Sequence, residues 1–170
     1  MMERMITLVS HTDTFTPDSA LSTRSAESTD CEALARLLFT SYESRLYPTQ
    51  ADAQKELEAV FAGEKGDFFA EASPVVVDEN GRVIAAALCL KNRKDDVEPS
   101  DVPTIFELVT AASRRRQGIA EKLIREAMTS MKNNGFEEVT VRIPETNAPA
   151  LALYLTLDFH RWQPADEDLY

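Results

Sequence analysis

Thr104-Ile105-Phe106-Glu107-Leu108-Val109-Thr110-Ala111-Ala112-Ser113-Arg114-Arg115-Arg116-Gln117-Gly118-Ile119-Ala120 is the stretch that decides the fold of this 170-residue chain. Its first seven residues form a nearly continuous apolar run, which suits a strand covered on both faces. Three arginines and a glycine follow, and a helix begins near Gly118. That helix carries Leu123, Ile124, Ala127, Met128 and Met131 at helical spacing and stops at Gly135, a good C-cap. Val139, Val141 and Ile143 then alternate as a strand that Pro144 ends. Strand, helix and strand in this order form a βαβ unit with parallel strands and a right-handed crossover.

Outward from this unit the punctuation stays legible. On its N-terminal side, Pro74–Val77 and Val83–Leu90 flank Asp78-Glu79-Asn80-Gly81-Arg82, a hairpin with Asn-Gly at its tip. Two amphipathic helices come before the hairpin. Thr29-Asp30-Cys31-Glu32 reads as a capping box ahead of Leu34, Leu37 and Leu38. Thr49 can cap a second helix whose apolar face is Ala53, Leu57, Val60 and Phe61. On the C-terminal side, a last helix covers Ala148 to about Leu157, and the tail from Phe159 can supply one short strand. Residues 1–19 are either a flexible extension or an added edge strand, carried by the apolar patch Met5–Val9. Residues 20–170 read as one mixed α/β domain, the size expected for a single core.

Composition narrows the function. Acids outnumber bases 29 to 18, for a formal net charge of -11. That argues against a general affinity for nucleic acid or an anionic membrane, since both need a basic surface. Cys31 and Cys89 stand far apart, which excludes a disulfide framework and fits a reducing, cytoplasmic setting. Two histidines, His11 and His160, leave little for a metal site, so no metal is expected. The longest apolar run, Val83–Leu90, is too short to span a bilayer.

Against that acidic background, three of the twelve arginines stand in a row where the apolar strand turns into the helix. The exposed N–H groups of a first helical turn, with the helix dipole behind them, favour an anion. Gly118 lets a ligand approach the backbone, and Ala120 adds only a methyl group. The segment therefore reads as a pyrophosphate cradle or, more plainly, as a solvated basic turn.

Glu107-Leu108-Val109-Thr110 followed by Arg115-Arg116-Gln117-Gly118-Ile119-Ala120 resembles the acyl-CoA-binding signature of the GNAT acetyltransferase superfamily. Asn147-Ala148-Pro149-Ala150-Leu151-Ala152-Leu153-Tyr154 through Phe159 is similar to that family's second block, and one helix and one strand separate the two. Arg24–Asp30 is similar to the family's first strand and helix start. The resemblance implies a central mixed, mostly antiparallel sheet with a splayed parallel strand pair, flanked by about four helices. It also implies acetyl-CoA as co-substrate, an amine acceptor of small-molecule or peptide type, and direct transfer in a ternary complex. The alternative is an acyl-CoA-binding or sensor module without transferase activity. Dimers are common in the family, and the short tail leaves room for one.

By the same resemblance, Arg115, Arg116, Gln117, Gly118, Ile119 and Ala120 would hold the pyrophosphate. The backbone of Leu108, Val109 and Thr110 would line the pantetheine slot, with Asn147 contacting the arm. Tyr154 would sit near the thioester sulfur as general acid. Glu107, the only acid in the lining strand, is the candidate base; strand alternation turns it away from Leu108 and Thr110 unless a bulge re-aims it. The acceptor pocket is expected between the Tyr42–Asp52 loop, with Tyr42, Glu43 and Tyr47, and the Lys91–Pro103 loop. Asp158 stands where the family usually has glycine, and Asp tolerates the left-handed conformation better than most residues. Pro144 occupies the position of an arginine common in members that acetylate protein N-termini, which speaks against that subclass.

Overall fold

A computed structural model describes residues 4–16, 22–41, 47–115 and 117–164. In chain order the elements are β1 (Met5–His11), β2 (Thr23–Ser25), α1 (Cys31–Ser41), α2 (Gln50–Phe61), β3 (Pro74–Val77) and β4 (Val83–Leu90). They continue with β5 (Thr104–Thr110), α3 (Ile119–Asn133), β6 (Glu138–Pro144), α4 (Ala148–Thr156) and β7 (His160–Arg161). The strands make one seven-stranded sheet in the order β2-β3-β4-β5-β6-β1-β7. Every neighbouring pair is antiparallel except β5 and β6, which are parallel as the βαβ reading requires.

The helices divide between the two faces. α3 and α4 cover the face carrying Ile6, Leu8, Ile105, Val141 and Ile143, while α1 and α2 cover the face carrying Val75, Ala86, Leu88 and Val109. Each fully buried Leu in these layers, such as Leu34, Leu57 or Leu123, contributes roughly 1.5–3 kcal/mol through burial alone.

The sequence expectation for the N-terminus, at most an edge strand, differs from what the chain does. β1 lies inside the sheet, paired along its whole length with β6 and on its other side with the two-residue β7. Ile6 and Leu8 alternate into the α3/α4 core and Val9 is buried on the opposite face, so both faces hold the strand in place.

The first helix also starts differently. The capping box falls on Glu27 and Asp30, not on Thr29 and Glu32, and it opens a 3-10 turn that runs into α1. Asp30 is preferred because its carboxylate also takes two hydrogen bonds from Arg24, at 2.9 and 2.7 Å. Those hydrogen bonds, with the Glu27 amide beside them, hold the Asp30 carboxyl below its usual range.

The ends of α3 and α4 share one device. In both, the N–H two residues past the C-cap returns to a carbonyl five residues back: Phe136 to Met131 at 3.0 Å, and Phe159 to Tyr154 at 3.1 Å. This Schellman pattern needs a left-handed residue between them. Gly135 supplies it for α3 and Asp158 for α4, with φ of 90° and 67°.

Candidate functional site

β5 and β6 pair at only two rungs, Thr104↔Thr140 and Ile105↔Val141. Two buried threonines pin that base. The Thr104 hydroxyl donates to the Thr140 carbonyl at 3.1 Å, and the Thr140 hydroxyl and amide both donate to the Pro103 carbonyl, at 3.2 and 2.8 Å. Beyond these rungs β5 stays with β4 and β6 stays with β1, so Phe106–Thr110 and Arg142–Pro144 line a gap that opens toward the strand ends. The Ala111 amide bonds the Ile84 carbonyl at 2.8 Å, so by antiparallel alternation Leu108 and Thr110 turn their backbone groups toward the gap. Val109, grouped with them in the sequence reading, turns its backbone to β4 and its side chain into the α1/α2 core.

The mouth of the gap leads through a 3-10 turn at Ala112–Arg114 to Gly118, the N-cap of α3. Gly118 has φ 74°, and no Cβ built there would meet another atom within 4 Å. Glycine is therefore required by the backbone angle, not by crowding. Among the described residues no side chain caps this helix, so its first amides are left to a ligand or to water. Two arginines of the cluster are engaged with protein groups. Arg115 donates to the Ser41 carbonyl at the end of α1 at 2.9 Å, and Arg114 lies 3.9 Å from Asp78 of the hairpin. The Ser41 hydroxyl in turn donates to the Thr110 carbonyl at 3.4 Å, tying α1, the strand end and the turn together. Arg116 lies outside the described residues, as do Tyr42 and Glu43. Gln117, Ile119, Arg114 and Lys122 border a cleft of about 450 Å³ with Val76 and Asp78 opposite.

Glu107 owes its direction to a bulge. β4–β5 pairing runs Leu88↔Glu107 and then Cys89↔Ile105, so Phe106 is an extra residue in β5. Ile105 packs with α3 and α4, yet Val109 packs with α1 and α2. Four residues apart on a regular strand they would share a face, and the bulge changes the phase. Glu107, two residues from Val109, shares its α1/α2 face and stays turned away from Leu108 and Thr110. There the Tyr47 hydroxyl donates to its carboxylate at 3.2 Å. Burial pushes the Glu107 carboxyl from 4.5 up to about 7, opposed by the Tyr47 hydrogen bond and aided by the charge of Glu56.

The second motif block forms α4. Asn147 is its N-cap, with the side-chain oxygen accepting the Ala150 amide at 3.2 Å. Tyr154 is 2% exposed and packs edge-on against Phe159 with ring centroids 5.1 Å apart. That contact is the apolar pair of the Schellman motif ending α4. The family resemblance implies a residue at the reaction centre; the structure shows its ring packed in the core.

A smaller cleft, about 280 Å³, is lined by Met5, Arg93, Asp95, Ile105, Phe106 and Arg142, with Val97 beside them. It brings residues of the Lys91–Pro103 loop to the sheet, while no described residue of the Tyr42–Asp52 loop lines it. Arg142 was not singled out in the sequence, although the signal was there: Thr140 and Arg142 alternate with the apolar Val139, Val141 and Ile143 and so mark the other face of β6. Among the described residues no group of His, Cys, Asp and Glu could hold a metal ion, and no helix is long and apolar enough to cross a membrane.

Residues 32–159 match the model of the acetyltransferase (GNAT) family. The chain is 30% identical over 115 residues to N-alpha-acetyltransferase 30 of Schizosaccharomyces pombe, covering 65% of this chain and 74% of that protein. Its fold is similar to a GCN5-related N-acetyltransferase from Sphaerobacter thermophilus, with a TM-score of 0.65 at 14% identity. That alignment covers 93% of this chain but 48% of the other, so the chain spans about half that protein's length. It is also similar to the aminoglycoside N-acetyltransferase AAC(6')-Iy solved in complex with CoA, with a TM-score of 0.63 at 17% identity over 89% of this chain and 95% of that one. The opened parallel pair, the glycine turn and the Asn–Tyr helix, in the order the matched family model spans, make this chain a member of the GNAT acetyltransferase family.

Proposed function

We propose that the chain is an acetyl-CoA-dependent N-acetyltransferase acting on the amine of a small molecule or peptide. The observation that carries the reading is the parallel pair that parts after Ile105 and Val141, with the uncapped start of α3 at its open end. An extended arm fits between the strands against the backbone of Leu108 and Thr110. A pyrophosphate fits on the amides following Gly118, where the helix dipole favours it. The CoA complex of the similar aminoglycoside N-acetyltransferase supports this ligand. Arg115, Arg116, Gln117, Ile119 and Ala120 are the neighbours proposed to bind it, with Asn147 on the arm.

The acceptor enters from the α1/α2 face. An alkylammonium has a pKa of about 10, so a proton must leave before the nitrogen can attack. Glu107, with its carboxyl raised to about 7, is half ionised near neutral pH and can take that proton. The amine nitrogen then bonds to the acetyl carbonyl carbon as the carbon–sulfur bond breaks. Tyr154 is proposed to give the departing thiolate a proton.

The test is release of free CoA thiol from acetyl-CoA over a panel of amines, with acetyl-CoA binding followed by calorimetry. Turnover with at least one amine supports the reading. Tight binding without turnover for any amine overturns it in favour of an acyl-CoA sensor, a reading that the core packing of Tyr154 favours. Tyr154→Phe keeps the ring and removes the hydroxyl. An enzyme should lose turnover roughly 10²–10⁴-fold with acetyl-CoA affinity retained.

A further inference from the structure

The cleft beside the gap carries an unspent positive charge. Of its charged residues, Arg93 and Asp95 satisfy each other through two hydrogen bonds, at 2.9 and 2.6 Å, and the Arg93 guanidinium also lies over the Phe106 ring at 5.8 Å. Arg142 is different. It projects from β6 and is half-buried, and its guanidinium makes no hydrogen bond or ion pair with the described residues. In a chain of net charge -11, a half-buried guanidinium with no carboxylate beside it is free to meet an anionic group of a ligand. Met5 and Phe106 give the cleft apolar walls, and its about 280 Å³ is at the small end of ligand cavities.

Its position matters as much as its charge. Arg142 is one residue past the last paired rung on β6, and Phe106 and Glu107 follow that rung on β5. Thr140 and Arg142 lie on the opposite face of β6 from Val141, and the bulge puts Glu107 on the opposite face of β5 from Ile105. The two charged side chains therefore stand just past the closed base of the gap, on the face away from Ile105 and Val141, one able to take a proton and the other able to hold an anion.

We propose that Arg142 is a specificity residue that pairs with a carboxylate on the acceptor, so that the preferred substrates are small amines bearing a carboxylate, with an apolar side chain against Met5 and Phe106. This inference rests on the acetyltransferase reading and names its acceptor class. A guanidinium meets a carboxylate through two parallel hydrogen bonds, which fixes the orientation of a small zwitterion as an isolated ammonium would not. A peptide N-terminus has an amide where a free amino acid has its carboxylate, and it would leave Arg142 unpaired.

The experiment compares leucine, leucinamide, 3-methylbutylamine and a Leu-Gly-Gly peptide as acceptors for the full chain, with the wild type, Arg142→Ala and Arg142→Lys. Leucine should have a kcat/KM about 10- to 100-fold above its amide and its decarboxylated analogue, the size of effect expected for a charge-assisted pair. In Arg142→Ala that preference should collapse through KM, and Arg142→Lys should restore part of it. Acetyl-CoA affinity measured on the same preparations reports whether the fold and the cofactor slot are intact. Transfer to all four acceptors without preference, a higher kcat/KM for the peptide, or a preference that survives Arg142→Ala overturns this inference and leaves the transferase reading standing. Absence of transfer to every amine overturns both.

Discussion

Replacing Glu107 by Gln should make the protein more stable and the enzyme far slower, and the two effects share one cause. Burial raises the Glu107 carboxyl from 4.5 to about 7, so the fold favours its protonated form. At about 1.4 kcal/mol per pH unit between these values, ionising it in the folded protein costs about 3 kcal/mol. Residual exposure of the side chain and relaxation around it reduce the expected figure to ~1–3 kcal/mol. Because the folded value lies above the unfolded one, no cost is felt below pH 4.5. The cost grows as pH rises from 4.5 to 7 and is constant above. Gln matches the protonated carboxyl in shape and never ionises. Glu107→Gln should therefore equal the wild type in stability near pH 4 and exceed it by that amount at pH 8, as read by urea denaturation at both pH values. Over the same range, wild-type kcat/KM should rise toward a plateau with a midpoint near 7. The variant should lose that limb together with 10²–10⁴-fold in rate. A stability difference that is the same at both pH values, or a variant that keeps the limb, would refute this account of Glu107.

Two backbone predictions stand apart from the chemistry. Gly118→Ala places a Cβ in open space but at φ 74°, so it should destabilise the fold by about 1–2 kcal/mol and weaken acetyl-CoA binding; unchanged denaturation and calorimetry would count against the proposed cradle. Asp158→Gly relieves the left-handed Asp at the end of α4 and should stabilise by ~0.5–1 kcal/mol net of the glycine's greater unfolded freedom, a rise of roughly 1–4 °C in Tm. A lower Tm would show that the Asp side chain contributes more than its conformation costs.

How much of this was legible in the sequence follows from the range of the interactions involved. The βαβ unit, the hairpin and α2 with its Thr49–Asp52 capping box rest on patterns within a dozen residues, and the chain displays them openly. The left-handed Asp158 was readable for the same reason. The start of α1 was not, because Ser28, Thr29 and Asp30 all offer caps and the choice falls to an ion pair with Arg24 on a neighbouring strand. The placement of β1 inside the sheet depends on β6, well over a hundred residues away, and nothing within Met5–Val9 names that partner. The arginine row illustrates the limit most clearly. Three adjacent guanidiniums read as one charge cluster, but Arg114 and Arg115 are drawn apart, one to the hairpin and one to the end of α1.

Phe106 shows why the gap and the candidate base could not be read separately. A residue added to β5 opposite β4 leaves composition and apolarity unchanged, so the sequence pattern of the strand barely registers it. In three dimensions it does two things at one level of the sheet. It bends and twists β5 locally, just where pairing with β6 stops, and it reverses the phase so that Glu107 turns toward Tyr47 and the α1/α2 layer. A strand without the bulge would send Glu107 into the α3/α4 core beside Ile105, where no Tyr47 hydroxyl waits. It would also have less reason to leave β6 after two rungs. The strand gap and the direction of Glu107 are thus consequences of the same one-residue irregularity, set from below by the Thr104–Thr140 hydrogen bonds.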